Sequence, residues 1–176
     1  VKEKVSVFVA TDHIKVRLVG EGEGVDTSDA DQSVGAEDPH LWMDPALWAE
    51  TFPPLAEALT ALAPDCAAQI HEGMQAEVAR ALALDAWAHE SLATIPEDHR
   101  ILLTAHDAFT YFSRAYAFEN EAIQGISTAS EPSIADIDQT AQLAAARRVP
   151  AAFIETTLNP RAVQALIEAI RSSSAP

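Results

Sequence analysis

The sequence lacks several features that would assign it at once to a protein class. It has one cysteine, Cys66, which excludes both an internal disulfide and a metal cluster built from thiolates. No apolar run approaches the roughly 20 residues that a membrane-spanning helix needs. The first residues, Val1 to Lys4, are neither an initiator methionine nor a signal peptide. We therefore expect either that a preceding segment has been removed or that the chain begins inside a longer protein.

Basic residues are also scarce, since 11 Lys and Arg stand against 27 Asp and Glu and give a net charge of −16. This sign argues against a nucleic-acid partner, because phosphate binding requires positive charge. Hydrophobic residues make up 48% of the 176 residues, which is enough for a buried core. The length corresponds to one ordinary domain, or to a lobe and a half of a larger protein.

The amino-terminal region combines a short apolar segment with a long acidic one. Residues 5–9 are rich in valine and predict a strand. Residues 20–38 mix carboxylates with glycine and serine and have almost no large apolar groups, so they predict a solvated loop. Collection of cations by this loop is the alternative function that its charge suggests.

Residues 38–45, DPHLWMDP, carry the first candidate functional side chain, His40. The two prolines fix their own φ and drive Asp38 and Asp44 out of the helical region, so the histidine lies on a stiff loop. Asp44 then serves as the N-cap of a helix that begins with Pro45. Such a loop suits a metal ligand, and a packed structural histidine is the alternative.

The central residues predict helices. Residues 45–62 have apolar side chains at helical spacing, and the Pro-Pro pair inside them predicts two helices in place of one. Residues 65–92, with Asp65 as N-cap, predict a helix about 40 Å long. Because this segment has no sustained heptad, a strut between two lobes is favoured over a coiled-coil arm. His71 and His89 on this helix are predicted to be surface residues.

The last part of the chain alternates strands and helices, which predicts an α/β fold with a parallel sheet and right-handed crossovers. The predicted strands are residues 101–104, 121–126 and 151–156, and the predicted helices are 107–116, 133–148 and 159–172, the last opened by Asn159 and Pro160. His106 follows the first strand, at the sheet edge where ligands bind in open α/β folds. Asp107 either orients this histidine or starts the next helix. A structural histidine is again the alternative.

Four segments taken together resemble a known family. They are DPHLWMDP (38–45), TAHDAFTYFSRAY (104–116), GIS with SEPS (125–127 and 130–133) and FIE (153–155). They are similar to the substrate-binding proteins of zinc and manganese ABC importers, the cluster A-I family of TroA-like and ZnuA-like receptors. The resemblance implies a two-lobed α/β metal-receptor fold whose lobes are joined by a long helix. Residues 1–63 would be the carboxyl-terminal part of the first lobe, 64–95 the linker helix, and 96–176 the second lobe, truncated before its last strand and helix.

The resemblance also implies a metal site with four ligands in chain order. His40 matches the second ligand and His106 the third, whereas the first and fourth ligands would lie outside this chain. Ala117 replaces a glycine common in the family, and we expect this to alter a turn and not the site. A histidine at the third position favours zinc over manganese. The absence of histidine from residues 20–38 counts against zinc, because zinc-type members often carry a metal-rich insertion there.

The function implied is that of a receptor that captures zinc or manganese and delivers it to a membrane ABC permease, without catalysing a reaction. We expect it to be monomeric and extracytoplasmic, either periplasmic or lipid-anchored. One alternative is a metallohydrolase in which His40 and His106 hold a zinc-bound water and Asp107 or Glu155 acts as base. The other is a surface adhesin on the same scaffold.

Overall fold

The structure is a computed structural model that describes residues 6–14, 37–126, 128, 131–156 and 159–173. Residues 6–9 are irregular and lead into a short 3-10 helix, Ala10–His13. The strand predicted at residues 5–9 is therefore wrong over its described part, where Val7 is 80% exposed. Valine-rich residues form a strand only where a neighbouring strand and a packed face reward them. The acidic loop predicted at 20–38 lies outside the described residues except for its last two.

Two short helices follow the DPHLWMDP loop, α1 (Pro45–Ala49) and α2 (Phe52–Leu62). The Asp44 carboxylate accepts a hydrogen bond from the Leu47 backbone N–H at 3.0 Å, which confirms its role as N-cap. The predicted break is confirmed as well, although it lies at residues 50–51, ahead of the two prolines. Proline is tolerated in the first turn of a helix, so the pair opens α2 and does not interrupt it.

The longest helix among the described residues is α3 (Ala67–Leu92), which has 26 residues and packs against α1 and α2. At 1.5 Å per residue it is about 39 Å long, close to the predicted length. The N-cap predicted at Asp65 is wrong, because this residue lies inside a 3-10 turn, Pro64–Cys66. Cys66 occupies the cap position without a side-chain hydrogen bond.

Beyond α3, two strands form a parallel pair, β1 (Ile101–His106) and β2 (Glu119–Gln124). They are connected by helix α4 (Thr110–Tyr116), and their register places His106 beside Gln124. The parallel direction and the helical connection confirm those parts of the prediction, and the right-handed crossover stays a prediction. His106 is thus the last residue of β1, at the carboxyl edge of the sheet.

The third predicted strand, residues 151–156, contributes a single parallel bridge between Ala152 and Leu103. The next backbone N–H, that of Phe153, donates to the Leu103 carbonyl at 2.8 Å. Phe153 and Ile154 are half exposed, so the side chains after the bridge have no closely packed face to reward a longer strand. The strand predicted at residues 151–156 is therefore wrong beyond this one bridge, which has the predicted parallel direction.

Helices α5 (Ile134–Ala146) and α6 (Arg161–Ser173) pack on each other, α5 against β2 and α6 against β1. Ser133 begins α5 in a capping box with Asp136. The Asn159 side chain accepts from the Arg161 N–H at 3.2 Å, as expected of a cap, although α6 begins one residue later than predicted. The core of this half consists of Leu103, Ala105, Ile123, Ala141, Ala144, Val163 and Leu166.

Candidate metal centre

His40 is held by the carboxylate two residues before it. One oxygen of Asp38, Oδ1, accepts the His40 backbone N–H at 2.9 Å and lies 2.9 Å from ring atom Nδ1. Both residues are buried, with relative exposures of 9% for the histidine and 2% for the aspartate. A short 3-10 turn, Leu41–Met43, then leads to the cap of α1. The stiff loop predicted from the two prolines is thus fixed further by its own aspartate.

His106 is held in the same way by a carboxylate 49 residues further along the chain. Glu155 Oε1 accepts the His106 backbone N–H at 3.2 Å and lies 2.9 Å from Nδ1, and Oε2 lies 2.7 Å from the same ring nitrogen. The Thr104 hydroxyl donates to the His106 carbonyl at 2.9 Å. The end of β1 is therefore fixed on both the backbone and the side chain.

The structure brings His40 and His106 side by side. Their ring centroids are 5.4 Å apart and the ring planes are inclined at 72°. The Trp42 ring meets His40 edge-on at 5.4 Å, with half of the tryptophan exposed. In both histidines, Nε2 is the ring nitrogen without a hydrogen-bond partner in the described part of the chain. The two free nitrogens suit a transition metal, and metal binding by them stays a prediction.

His40 and His106 alone do not complete a metal-binding site. Within residues 6–14, 37–126, 128, 131–156 and 159–173, no group of three or more His, Cys, Asp or Glu side chains is placed to hold a metal ion. Zinc sites in proteins take four ligands, or three with water in the fourth position. The histidine pair therefore offers two nitrogen ligands, to which other donors have to be added.

Asp107 neither orients His106 nor begins α4, so both alternatives for it are wrong. Its Oδ1 accepts from the Thr110 hydroxyl at 2.9 Å and from the Asn120 amide at 2.6 Å, which joins the loop after β1 to β2. Burial raises the pKa of the Asp107 carboxyl, and the charge of nearby Asp38 raises it further, against the hydrogen bonds that lower it. Asp107 is a structural anchor beneath the histidine pair.

Tyr111 connects the two histidine segments. Its buried hydroxyl, on α4, donates to the Asp38 backbone carbonyl at 3.2 Å across 73 residues of sequence. The loop that carries His40 is therefore tied directly to the helix that follows His106.

Sequence reasoning did not find the roles of three residues at this centre. Asp38 and Glu155 hold the histidines, and Tyr111 joins their segments. Asp38 could have been found, because a carboxylate two residues before a loop histidine can accept its backbone N–H in an Asx turn. Glu155 and Tyr111 act over long sequence separations that a single sequence does not reveal.

The histidines predicted to lie on the surface are exposed, and both are on α3. His71 is exposed, and His89 lies 3.7 Å from Asp85 and stacks edge-on against Tyr116. In the residues that the structure describes, no helix combines the length and the apolar character needed to cross a membrane.

Comparison with known proteins gives a consistent result along the chain. Residues 1–175 match the sequence profile of the family described as zinc-uptake complex component A, periplasmic, or ZnuA. The zinc-binding protein TroA of Treponema pallidum is 40% identical over 135 residues, which cover 77% of this chain and 44% of TroA. The manganese-binding lipoprotein MntA of Bacillus subtilis is 29% identical over 167 residues, which cover 95% of this chain and 51% of MntA.

Solved structures agree with the sequence matches. The periplasmic zinc-binding protein TroA of Treponema pallidum superimposes with a TM-score of 0.82 at 33% identity, over 98% of this chain and 58% of that one. Fe(III)-bound YtgA of Chlamydia trachomatis gives a TM-score of 0.72 at 30% identity, over 75% of this chain and 50% of that one. The chain thus has the TroA-like receptor fold and spans about half the length of the relatives it matches.

Proposed function

Because the chain belongs to the zinc-uptake complex component A family, we propose that the full-length protein is a receptor that captures a divalent transition metal and delivers it to a membrane ABC permease. The two relatives described above are named for binding zinc and manganese, and the second of them is a lipoprotein. We propose accordingly that this protein acts outside the cytoplasm, in the periplasm or anchored at the cell surface, as a monomer. The segments 1–63, 64–95 and 96–176 are the proposed division into first lobe, linker helix and second lobe.

The observation that carries this proposal is the meeting of His40 and His106. Two rings from segments 66 residues apart lie 5.4 Å apart between centroids, and each is held at Nδ1 with Nε2 left free. Imidazole nitrogens bind transition metals, and their convergence is what a captured ion needs. We propose that both histidines are metal ligands and that the remaining ligands come from elsewhere in the full-length protein.

The transported metal is zinc or manganese in this proposal, with zinc favoured. Two nitrogen ligands suit zinc better than manganese, which prefers carboxylate, carbonyl and water oxygen. Asp38 and Glu155 lie at the Nδ1 atoms of the two rings and not at the Nε2 atoms, so we do not propose them as oxygen ligands of an ion held at Nε2. The metals held by relatives extend beyond zinc and manganese, since one solved structure holds Fe(III). The preference for zinc in this proposal rests on the donor atoms alone.

The geometry gives the two candidate bases of the hydrolase alternative, Asp107 and Glu155, structural partners within the protein. Asp107 Oδ1 accepts from Thr110 and Asn120, and Glu155 accepts from the backbone N–H of His106 and faces its ring. Both carboxylates thus have a structural role that explains their positions without a catalytic one. We propose that the protein catalyses no reaction. No contact in the described part of the chain favours the adhesin alternative over metal capture.

The experiment is metal binding by the full-length protein with either histidine replaced. His40→Ala and His106→Ala should each lower zinc affinity more than tenfold, measured by competition against a chromophoric chelator. His71→Ala is the matched control, because His71 is an exposed histidine on α3 away from the pair. Circular dichroism of the metal-free variants checks that each is folded. Unchanged affinity in both site variants would remove the assignment.

A further inference from the structure

The two histidines are held by the same arrangement, although they lie on different parts of the fold. In each case a single carboxylate accepts the backbone N–H of the histidine and also contacts Nδ1 of its ring. Asp38 does this from two residues away and Glu155 from 49 residues away. Because the Asp38 contacts are local and the Glu155 contacts are long-range, a shared turn sequence does not account for both.

The contact between Glu155 and His106 is fixed by the core of the protein. The segment that carries Glu155 is attached to β1 through the Leu103–Ala152 bridge and the bond from the Phe153 N–H to the Leu103 carbonyl. Leu103 is buried in the core. The Glu155 side chain is 17% exposed and the His106 side chain 12%, so solvent competes little for their contact.

The chemistry of the partner decides where each ring carries its proton. An ionised carboxylate has only acceptor sites, so a neutral imidazole facing it at Nδ1 has to donate from that nitrogen. The other nitrogen, Nε2, then has the lone pair. The carboxylate also adds negative charge behind the ring, which makes the imidazole a stronger ligand.

We propose that Asp38 and Glu155 are positioning residues that fix His40 and His106 as Nδ1–H tautomers, so that each presents Nε2 to the captured ion. The role in metal capture rests on the proposed function. The tautomer itself is a property of the metal-free protein, so the two can be tested apart.

The first measurement is the tautomer of each ring. The metal-free full-length protein, labelled with ¹⁵N at histidine, is examined by long-range ¹H–¹⁵N correlation NMR at about pH 8, above the ordinary histidine pKa of about 6.5. Wild type should show the Nδ1–H form at both rings. Glu155→Ala should release His106 alone to the other tautomer, and Asp38→Ala should release His40 alone.

The conservative variants separate geometry from charge. In Glu155→Gln and Asp38→Asn the amide oxygen still accepts from Nδ1–H, so the tautomer should be kept while the charge behind the ring is lost. Zinc affinity should fall about ten- to hundredfold in the alanine variants and less in the amide variants. If a carboxylate only stabilised the fold through its charge, its amide variant would not restore the tautomer and the zinc affinity that the alanine variant loses. If an alanine variant does not fold, the retained tautomer and weakened affinity of its amide counterpart carry the test.

The matched control is Glu119→Gln. Glu119 lies at the opposite end of β2 from Gln124, which pairs with His106, so it is about 17 Å along the strand from the site. It should change neither tautomer nor affinity.

An Nε2–H form at both rings of wild type would overturn the proposal, and so would alanine variants that keep both tautomer and affinity. If the Nδ1–H forms are present but the full-length protein does not bind zinc, manganese or iron, the positioning roles stand and the proposed function fails.

Discussion

Replacing Ala117 with glycine should stabilise the protein. Ala117 follows α4 in the left-handed conformation, with φ 56° and ψ 47°. Its backbone N–H and that of Phe118, at 2.9 Å, both donate to the Ser113 carbonyl, so the turn is a helix cap that glycine normally fills. Ala117 is exposed, and removal of its Cβ loses little packing.

The size of the effect follows from two opposing terms. A residue with a Cβ loses about 1–2 kcal/mol in the left-handed region. Glycine gives back about 0.5–1 kcal/mol of this through the greater freedom of its unfolded chain. The net gain should be about 0.5–1 kcal/mol in the free energy of unfolding.

The assay is paired thermal and urea unfolding of the metal-free full-length protein. The control is Ala79→Gly, the same substitution at an exposed residue inside α3, which should destabilise by about 1 kcal/mol. The two changes should therefore differ in sign. If Ala117→Gly lowers stability as Ala79→Gly does, the left-handed turn is not the source of strain and the reasoning fails.

Three further predictions concern the core, the link between segments and the acid limit of stability. Leu166→Ala removes a fully buried side chain from the core and should lower the free energy of unfolding by about 2–5 kcal/mol, seen as an earlier urea midpoint. Tyr111→Phe leaves the Asp38 carbonyl without its donor and should destabilise by about 1–2 kcal/mol in the same assay; an unchanged midpoint would show that this bond does not hold the loop. The hydrogen bond from Arg147 lowers the pKa of Glu119, so this exposed pair should add less than about 1 kcal/mol at neutral pH and lose it as the pH falls through that lowered pKa. Glu119→Gln should abolish this part of the pH dependence. If the free energy of unfolding of wild type still exceeded that of the variant in acid, the prediction would be contradicted.

The elements with strong local signals were predictable from the sequence. Asp44 caps α1 because an aspartate before a proline is driven out of the helical region while its side chain faces the next N–H groups. The long helix and the helical crossover between parallel strands follow from periodicity and order alone. These features need only residues close in sequence, so a single sequence is sufficient for them.

The errors occurred where distant residues decide the outcome. Residues 5–9 have the composition of a strand, but strand formation depends on a partner that composition does not name. Its place after β1 predicts a role for Asp107 toward His106 or α4, whereas Asn120, on the neighbouring strand, donates to its carboxylate. The hydrolase alternative predicts Glu155 as a base, whereas the bridge to β1 sets its position and its oxygens face His106.

The candidate centre was predictable in part. His40 and His106 were selected from stiff loop position, strand-end position and family resemblance, and the structure places their rings together. Their metal binding stays a prediction. The carboxylates that hold the two rings were not predicted, because the orientation of a side chain also depends on contacts with residues distant in sequence.

The length of α3 has a mechanical consequence for this centre. A rigid rod of about 39 Å works as a lever, and a tilt of about one degree moves its far end by about 0.7 Å. Metal–ligand distances tolerate errors of about 0.2 Å. If two ligands were connected only through such a helix, its ordinary bending would change their spacing by more than this. The bond from the Tyr111 hydroxyl to the Asp38 carbonyl bypasses the lever. It joins the His40 loop directly to the helix that follows His106, so the spacing of the two rings does not depend on α3 alone.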